Sequence, residues 1–257
     1  TAAEGQIKFM DEDVTNMTSS QIMAYRKKIS FIWQNSIGSL SPRMSVGSLI
    51  TEGYKIHNLK DRDIKMEADR LLKLVGLPTN IKERYAHELS GGQARRVGVA
   101  RAIALNPKLI IADEPTAGLD VSVQGEILNL LNKLRDDLGV SLFVITHNLN
   151  IVRHISDRTA VMYLGRFVEQ GQTDDIFAKP RHPYTLALLS ANLTPYQETS
   201  LKNKIELTGE VPSLMDRPNG CEFHTRCPFS SKHCDDEFPP VHTFNGQQIL
   251  TCHYPLK

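Results

Sequence analysis

The chain has 257 residues, of which 40% are hydrophobic, and its formal net charge is +1 at pH 7. This length and composition suit a globular protein with one large domain or two small ones. The balanced charge excludes a general electrostatic attraction to nucleic acid or to a membrane surface. No run approaches the roughly 18 apolar residues of a membrane-spanning helix, so any role at a membrane must come through partner subunits.

The start of the chain predicts a strand, a helix and a second strand. Polar and apolar residues alternate over residues 6–9, as they do in a half-buried strand. Residues 19–28 predict a short helix that is capped by one of its two leading serines. The β-branched and aromatic run 29–33 then predicts a strand that ends at Gln34.

Residues 42–88 predict a helical segment. Apolar side chains share one face of a helix that Gly76 ends, and they are Ala68, Leu71, Leu72 and Val75. A plain amphipathic insert would show the same pattern, so this segment alone assigns no chemistry.

A serine–glycine turn opens the next helix. Residues 89–93 have the sequence LSGGQ, in which Ser90 can cap the helix and Gln93 can complete a capping box. Two glycines in the first turn leave backbone N–H groups pointing outward at the positive end of the helix. The helical pattern continues until Asn106-Pro107 ends it. The turn is therefore a predicted anion site that is well suited to a phosphate.

Two adjacent carboxylates follow a buried strand. Residues 109–112 form the short apolar run that predicts the strand, and Asp113 and Glu114 come directly after it. Ligands of open α/β sheets bind at this end of the strands, where paired carboxylates suit a metal ion and a general base. Either motif taken singly favours a plain turn or a polar loop. Together, in this order and this close, they predict phosphate chemistry.

A helix and another strand complete this stretch. Asp120 can cap a helix that Gly139 closes, and its predicted buried stripe consists of Ile127, Leu131, Leu134 and Leu138. Residues 141–146 predict a second buried strand, and His147 stands at its end. A single histidine after a strand is more often structural than catalytic, so its role depends on the motifs around it.

These motifs together resemble the ATPase subunits of ABC transporters. Residues 89–93 match that family's signature motif letter for letter, residues 109–114 match its Walker B strand, and residues 117–120 resemble its D-loop. Gln34 and His147 stand where the family has its Q-loop glutamine and its switch histidine. The resemblance implies an α/β fold of the P-loop NTPase type, with a parallel sheet, an inserted helical subdomain and a small cysteine-rich C-terminal extension.

The resemblance also implies how the site residues act on ATP and Mg²⁺. Family members form head-to-tail dimers, in which each nucleotide lies between one subunit's Walker A loop and the other's signature motif. On that arrangement Glu114 polarises the attacking water, with Gln34 and His147 completing the shell, and Gln34 also reaches the magnesium ion. The resemblance implies that the γ-phosphate of the partner's nucleotide is contacted by Ser90, Gly91, Gly92 and Gln93. It also implies that Asp113 holds magnesium and that Asp120 contacts the other subunit across the dimer.

The same resemblance divides the chain into four predicted parts. They are a partial ATPase core ending in the Q-loop (1–40), a helical subdomain with the signature motif (41–104), the remaining ATPase core (105–178) and an importer-specific extension (179–257). The family's Walker A run of Gly, four residues and Gly-Lys-Ser/Thr does not occur in the chain, and we expect it before Thr1. The sequence is therefore expected to be a shortened ATPase or a natural half-competent subunit.

Two further stretches resemble the importer branch that handles oligopeptides, dipeptides and nickel. They are residues 39–44, SLSPRM, and residues 182–185, HPYT, which precede an apolar helix predicted over residues 186–193. Asn35 and Asn148 depart from the family, which usually has acidic residues there. The resemblance implies an ATP-hydrolysing subunit of a peptide importer. A nickel importer subunit and a non-hydrolytic partner that donates only its signature motif remain alternatives, whereas a soluble ABC protein of translation or repair would not be expected to carry HPYT.

The implied partners follow from the transporter architecture of the family. They are a second ATPase subunit, identical or different, two membrane permease subunits and, indirectly, an extracytoplasmic substrate-binding protein, with no nucleic acid. The implied location is peripheral, on the cytoplasmic face of the cell membrane.

The cysteines near the end of the chain leave three interpretations open; they are Cys221, Cys227, Cys234 and Cys252. Disulfides fit the reducing cytosol poorly. Zinc is chemically possible, but the paired two-residue spacings typical of zinc sites are absent. We favour a [4Fe–4S] cluster on four thiolates over four free thiols, because the importer branch that the chain resembles carries such a motif, including residues 226–229, RCPF. Three histidines close by keep a mixed ligand set open, namely His224, His233 and His253.

Overall fold

The computed structural model describes residues 4–35, 37–59, 61–191 and 207–257. Within these ranges the chain divides into two compact units, Thr1–His147 and Asn148–Lys257. The first unit holds the serine–glycine turn and the paired carboxylates, and the second holds the four cysteines. The domain boundaries expected at residues 40, 104 and 178 stay predictions.

The first unit begins with a short hairpin and a helix. β1 (Lys8–Phe9) pairs antiparallel with β2 (Glu12–Asp13), so the first strand is shorter and more exposed than predicted. α1 (Ser19–Lys28) has the predicted bounds, but its cap is Thr18 and not one of the two serines. The Thr18 side chain accepts a hydrogen bond from the Gln21 N–H, and the Gln21 side chain accepts one from the Thr18 N–H.

A helical layer follows, and it packs on a well-buried apolar face. Its helices are α2 (Val46–Ile56), α3 (Ile64–Leu74) and α4 (Gly91–Ile103), with 3₁₀ turns at Thr79–Glu83 and Ala86–Glu88. The predicted apolar face of α3 is confirmed, because each of its four residues is at most 3% exposed. They are Ala68, Leu71, Leu72 and Val75. The Tyr54 hydroxyl links α2 to the end of α4, where it lies 2.7 Å from the Ala104 carbonyl oxygen.

A three-stranded parallel sheet positions the paired carboxylates. Its strand order is β3 (Ile29–Ile32), β4 (Leu109–Asp113) and β5 (Ser141–Ile145). Because the three strands run parallel, the residues that follow them all leave the sheet at the same edge. The sequence predicted each of these strands, and the structure confirms them to within one or two residues.

α5 (Val121–Leu138) connects β4 to β5 and covers part of the core. Ile127, Leu131 and Leu134 are buried as predicted, but Leu138 is 38% exposed. The buried stripe therefore ends one turn earlier than predicted, because the last turn of α5 extends beyond the core. Gly139 has a φ of 61° and closes the helix in the left-handed conformation that glycine adopts without strain.

One face of the parallel sheet carries exposed apolar side chains. Phe31, Phe143 and Ile145 are 44%, 54% and 48% exposed. The prediction that residues 141–146 form a buried strand is therefore wrong, because only alternate side chains of β5 pack inward. Parallel sheets normally have both faces covered. This face is thus suited to cover by a further polypeptide segment.

The second unit is built on an antiparallel sheet. Its strand order is β6 (Arg158–Tyr163), β7 (Arg166–Gln172), β9 (Gln248–Thr251) and β8 (Val241–Phe244). A hairpin joins β6 to β7, and its turn lies at Leu164-Gly165, with φ angles of 45° and 78°. Two successive positive φ angles match the twist of the flanking strands. β9 pairs with β7, so the last strands of the chain complete the sheet.

Among the described residues of this unit, four α-helices accompany the sheet. They are α6 (Leu149–Ile155), α7 (Thr173–Ala178), α8 (Pro183–Ala191) and α9 (Lys232–Asp236). α8 begins earlier than the apolar helix expected over residues 186–193, since proline is well tolerated in a first helical turn. Residues 192 and 193 lie outside the described residues. None of the helices in the described ranges combines the length and apolar character that crossing a membrane requires.

Candidate nucleotide site

The serine–glycine turn has the predicted capping-box geometry. Ser90 Oγ accepts a hydrogen bond from the Gln93 N–H over 3.3 Å, and Gln93 Oε1 accepts one from the Ser90 N–H over 3.1 Å. Ser90 and Gly91 are exposed to solvent. A Cβ at Gly92 would lie 3.3 Å from Val123 Cγ1, so glycine allows α5 to approach closely. The turn therefore presents the positive end of α4 to solvent.

The paired carboxylates stand at the edge of the sheet, where β4 ends. Asp113 and Glu114 are both half-buried. Glu114 has a φ of 45°, a left-handed conformation that is strained for a residue with a side chain. Its N–H donates to the Ile145 carbonyl oxygen over 2.9 Å, which ties this conformation to the neighbouring strand β5. The sheet thus holds the Glu114 side chain in a fixed direction.

The structure brings Glu114 and His147 together. Glu114 Oε1 accepts a hydrogen bond from the His147 N–H over 3.1 Å and also contacts the His147 Nδ1 atom. Thr146 Oγ donates to Glu114 Oε2 over 3.3 Å. The His147 side chain is 87% exposed, whereas that of Glu114 is 16% exposed. An oriented carboxylate beside an open imidazole can perform general acid–base chemistry.

The remaining predicted residues of this site lie apart from that pair. In the described ranges, no hydrogen bond or ion pair joins Gln34, Ser90 or Asp120 to Glu114 or His147. The Gln34 and Asp120 side chains are exposed. Asp120 stands at the N-terminus of α5 as predicted, but its side chain makes no capping hydrogen bond. Its carboxylate is therefore available for contacts outside this chain.

One buried residue near the site was missed by sequence reasoning. Arg95, on α4, is 4% exposed, and its guanidinium donates to the carbonyl oxygens of Trp33, Gln34 and Ala117, each over 3.0 Å. The sequence signal that could have found it is an arginine in the small and apolar pattern that follows the serine–glycine turn. Such a position is buried, and a buried cation needs partners.

The four cysteine side chains line one small enclosed cavity in the second unit, together with aromatic and histidine side chains. All four are free thiols. Burial raises the pKa of Cys227 to about 11 and that of Cys252 to about 12. Across the described part of the chain, no three His, Cys, Asp or Glu side chains are arranged to hold a single metal ion.

Two family models match the chain. The model described as ABC transporter matches residues 1–117, and the model described as oligopeptide/dipeptide transporter, C-terminal region, matches residues 168–234. The first match contains the serine–glycine turn and the paired carboxylates, and the second contains three of the four cysteines.

Relatives with assigned names cover nearly the whole chain. The oligopeptide transport ATP-binding protein AppF of Bacillus subtilis is 41% identical over 255 residues, which are 97% of this chain and 77% of that protein. The oligopeptide transport ATP-binding protein OppF of Salmonella typhimurium is 42% identical over 241 residues, which are 93% of this chain and 72% of that protein.

Solved structures agree on the fold. The ATP-binding cassette MJ0796, in a dimeric post-hydrolysis state bound to ADP and Pi, superposes with a TM-score of 0.60 at 26% identity, covering 66% of this chain and 74% of that one. The protein cbiO1 from Clostridium perfringens, part of the ABC transporter complex cbiONQ, also gives 0.60, at 31% identity, covering 68% and 69%. The predicted α/β ABC ATPase fold is confirmed.

Proposed function

The chain belongs to the ATP-binding proteins of ABC transporters, and on this basis we propose that it binds and hydrolyses ATP to energise an importer of oligopeptides or dipeptides. The observation that carries the proposal is the contact between Glu114 and His147 at the edge of the parallel sheet. There the carboxylate can polarise the attacking water while the imidazole faces the terminal phosphate. The relatives named for oligopeptide transport support the substrate class.

Asp113 and Gln34 supply the oxygen ligands for Mg²⁺ in this proposal. Mg²⁺ prefers carboxylate and amide oxygens together with water and the phosphates of a bound nucleotide. Asp113 is half-buried at the end of β4, and the Gln34 side chain is exposed after the neighbouring strand β3. When bound, Mg²⁺ would neutralise charge on the nucleotide phosphates, and Asp113 and Gln34 would hold it.

The exposed serine–glycine turn acts on a nucleotide held by another subunit. Ser90 and Gly91 face solvent, and the N–H groups of Gly91 and Gly92 at the start of α4 can bind the γ-phosphate of that nucleotide, while the Gln93 N–H donates to Ser90 Oγ. Asp120, also exposed, contacts the partner across the dimer. The dimeric state of the MJ0796 cassette supports this arrangement.

The partners of the subunit follow from the same proposal. They are a second ATP-binding subunit, two membrane permeases and, indirectly, an extracytoplasmic substrate-binding protein. The subunit would thus lie peripherally on the cytoplasmic face of the membrane. The named relatives, which are ATP-binding proteins of transport systems, support these assignments.

We also propose that the cysteine cavity holds an iron–sulfur cluster on four thiolates. A cluster is larger than a single ion, so its ligands surround a shared space, and the four cysteine side chains line one cavity. Burial raises the pKa of three of these thiols, Cys221, Cys227 and Cys252, and so favours their protonated form. A bound cationic centre would favour the thiolate form instead. When bound, the cluster supplies a cross-link between the segments that carry Cys221, Cys227, Cys234 and Cys252.

Anaerobic purification tests the cluster proposal. We expect brown protein with charge-transfer absorption in the visible range and about four iron atoms per chain. Cys234→Ser is expected to lose iron and colour, while Ser230→Ala, at an exposed position just before α9, keeps both. Colourless protein with stoichiometric zinc would contradict the proposal.

The ATPase proposal is tested by Glu114→Gln in the assembled transporter. The amide keeps the shape of the side chain and removes the base, so we expect hydrolysis to fall at least about 100-fold. ATP binding, measured by equilibrium dialysis, should persist because Glu114 acts on water and not on the nucleotide.

Glu126→Gln is the matched control for this substitution. Glu126 lies on α5, is 61% exposed, and pairs with Arg96 at the surface. Because exposed ion pairs contribute little, its substitution should leave turnover within about twofold. Undiminished ATPase activity in Glu114→Gln would contradict the base assignment and favour a non-hydrolytic subunit.

A further inference from the structure

The Arg95 guanidinium joins three segments that are distant in the sequence. It lies on α4, which the serine–glycine turn opens. Its Nη1 donates to the carbonyl oxygens of both Trp33 and Gln34, and its Nη2 donates to that of Ala117. The first two residues follow β3, and Ala117 lies in the loop between the paired carboxylates and Asp120. The Arg95 side chain therefore joins the helix that begins at the serine–glycine turn to both loops beside the site.

The environment of Arg95 makes these hydrogen bonds hard to replace. The side chain is 4% exposed, and burial lowers the pKa of its guanidinium. The three acceptors are backbone carbonyl dipoles, and the Arg95 Nε atom has no hydrogen-bond partner among the described residues. A buried cation held in this way depends on each of its acceptors. The planar fork of arginine matches several fixed acceptors at once, which a lysine ammonium on a flexible stem does not.

The other arginines of α4 contact different segments of the chain. Arg101 donates to the Ser39 carbonyl oxygen over 2.8 Å, beyond the Gln34 loop. Arg96 donates to the Val75 carbonyl oxygen over 2.8 Å and pairs with Glu126. Within the described ranges, Arg95 alone of the three contacts both the segment after β3 that holds Gln34 and the loop that holds Ala117.

We propose that Arg95 is a positioning residue, which fixes Gln34 and the loop 117–120 relative to the signature helix. The three hydrogen bonds then hold these segments in one arrangement relative to each other. Gln34 can reach magnesium and the attacking water, and Asp120 can reach the partner subunit, only when α4 is in position. The effect on ATP hydrolysis rests on the proposed function. Whether Arg95 fixes the two loops can be measured without any ATPase activity.

Trp33 provides that measurement, because it is the only tryptophan in the chain. It is 53% exposed and stacks on Phe31 with ring centroids 5.4 Å apart. In Arg95→Gln the carbonyl of Trp33 loses its donor, so we expect acrylamide quenching of its fluorescence to rise about twofold. Arg95→Lys keeps the charge but not the fork and should show a similar rise. In Arg96→Gln, acrylamide should quench Trp33 as it does in the wild type. Wild-type quenching in Arg95→Gln would contradict the proposal.

Steady-state ATP hydrolysis by the assembled transporter gives the second readout. A positioning role predicts that kcat falls about tenfold in Arg95→Gln and Arg95→Lys, while the KM for ATP changes less than about threefold. Arg96→Gln should keep both constants. More mobile Trp33 with unchanged kcat would overturn the positioning role. An inactive wild-type transporter would instead count against the proposed function, and the quenching result would still decide whether Arg95 fixes the loops.

Discussion

Gln248 donates a 2.6 Å hydrogen bond from Nε2 to Oε1 of Glu169, a residue with 0% solvent exposure. The same carboxylate accepts from the N–H groups of Arg181 and His182, over 2.9 Å and 3.0 Å. Glu169 lies on β7, Gln248 on β9, and the other two donors precede α8. One buried carboxylate therefore joins the hairpin, the HPYT segment and the last strand of the chain.

Glu169→Gln should weaken this junction. An amide keeps one acceptor oxygen and turns an NH₂ group toward a donor, which leaves buried N–H groups unpaired. We expect the free energy of unfolding to fall by about 2 kcal/mol, as measured by urea titration of the far-UV circular dichroism. Glu210→Gln makes the same change on an exposed side chain and should shift stability by less than about 0.5 kcal/mol. Equal effects of the two substitutions would show that the Glu169 contacts contribute little.

The buried His182 ring makes stability depend on pH. Burial lowers its pKa from 6.5 to about 3, and its Nδ1 accepts a hydrogen bond from the Tyr184 N–H. Between these two values the unfolded chain binds a proton that the folded chain does not. The neutral ring's contribution is therefore fully present above pH 6.5 and is lost as pH falls toward 3, at up to about 1.4 kcal/mol per pH unit.

His182→Gln tests this dependence. Urea titrations at pH 6.5 and pH 5 should show a smaller loss of stability in the variant than in the wild type, because no ring remains to be protonated on unfolding. His87→Gln changes an exposed histidine and should keep the wild-type slope. An unaltered slope in His182→Gln would assign the acid sensitivity to other groups.

The sequence predicted those features of the site that depend on short-range rules. The Ser90 capping box, the strand before Asp113 and the closing Gly139 each follow from local spacing, and the structure confirms them. The first helix shows the limit of such rules, because Thr18 and the leading serines are all good caps. The structure selects Thr18 because Gln21 stands three residues after it.

Contacts between residues that are distant in the sequence could not be predicted from it. Nothing in the spacing of residues shows that Arg95 reaches the Trp33 and Ala117 carbonyls, or that Gln248 reaches Glu169, since these contacts depend on how distant segments pack. The exposed alternate side chains of β5 were missed for a related reason. A short apolar run such as residues 141–146 fits a strand buried on both faces as well as one covered on a single face.

The turn at Gly220 should be intolerant of any side chain. Gly220 has a φ of 62°, and a Cβ would lie 2.4 Å from the Cys234 carbonyl oxygen, which accepts a hydrogen bond from the Cys221 N–H. We expect Gly220→Ala to destabilise the chain by more than about 2 kcal/mol, because it combines left-handed strain with a clash against backbone.

Gly246→Ala is the matched control. Gly246 has a φ of 68°, and a Cβ added there would have no atom of the described residues within 4 Å. The variant should show the backbone strain alone, about 1 kcal/mol. Urea titration of both variants separates the two effects. A Gly220→Ala loss no larger than that of Gly246→Ala would mean that the Cys221–Cys234 turn can shift to make room.

Ser90→Asp separates helix capping from phosphate binding at the signature turn. Aspartate caps helices about as well as serine, and its charge suits the positive end of α4. The free energy of unfolding should therefore stay within about 0.5 kcal/mol of the wild type. The same charge would repel the γ-phosphate of a nucleotide bound to the partner, so ATP hydrolysis by the assembled transporter should fall at least about tenfold.

Thr18→Asp controls for the substitution itself. Thr18 caps α1 through the same capping-box geometry with Gln21, and the structure gives it no role in the nucleotide site. This variant should keep both stability and turnover. Ser90→Ala, by contrast, removes the cap without adding charge and should cost about 1 kcal/mol of stability. If Ser90→Asp hydrolyses ATP as fast as Thr18→Asp, no phosphate approaches the turn, and the shared site between subunits would have to be abandoned.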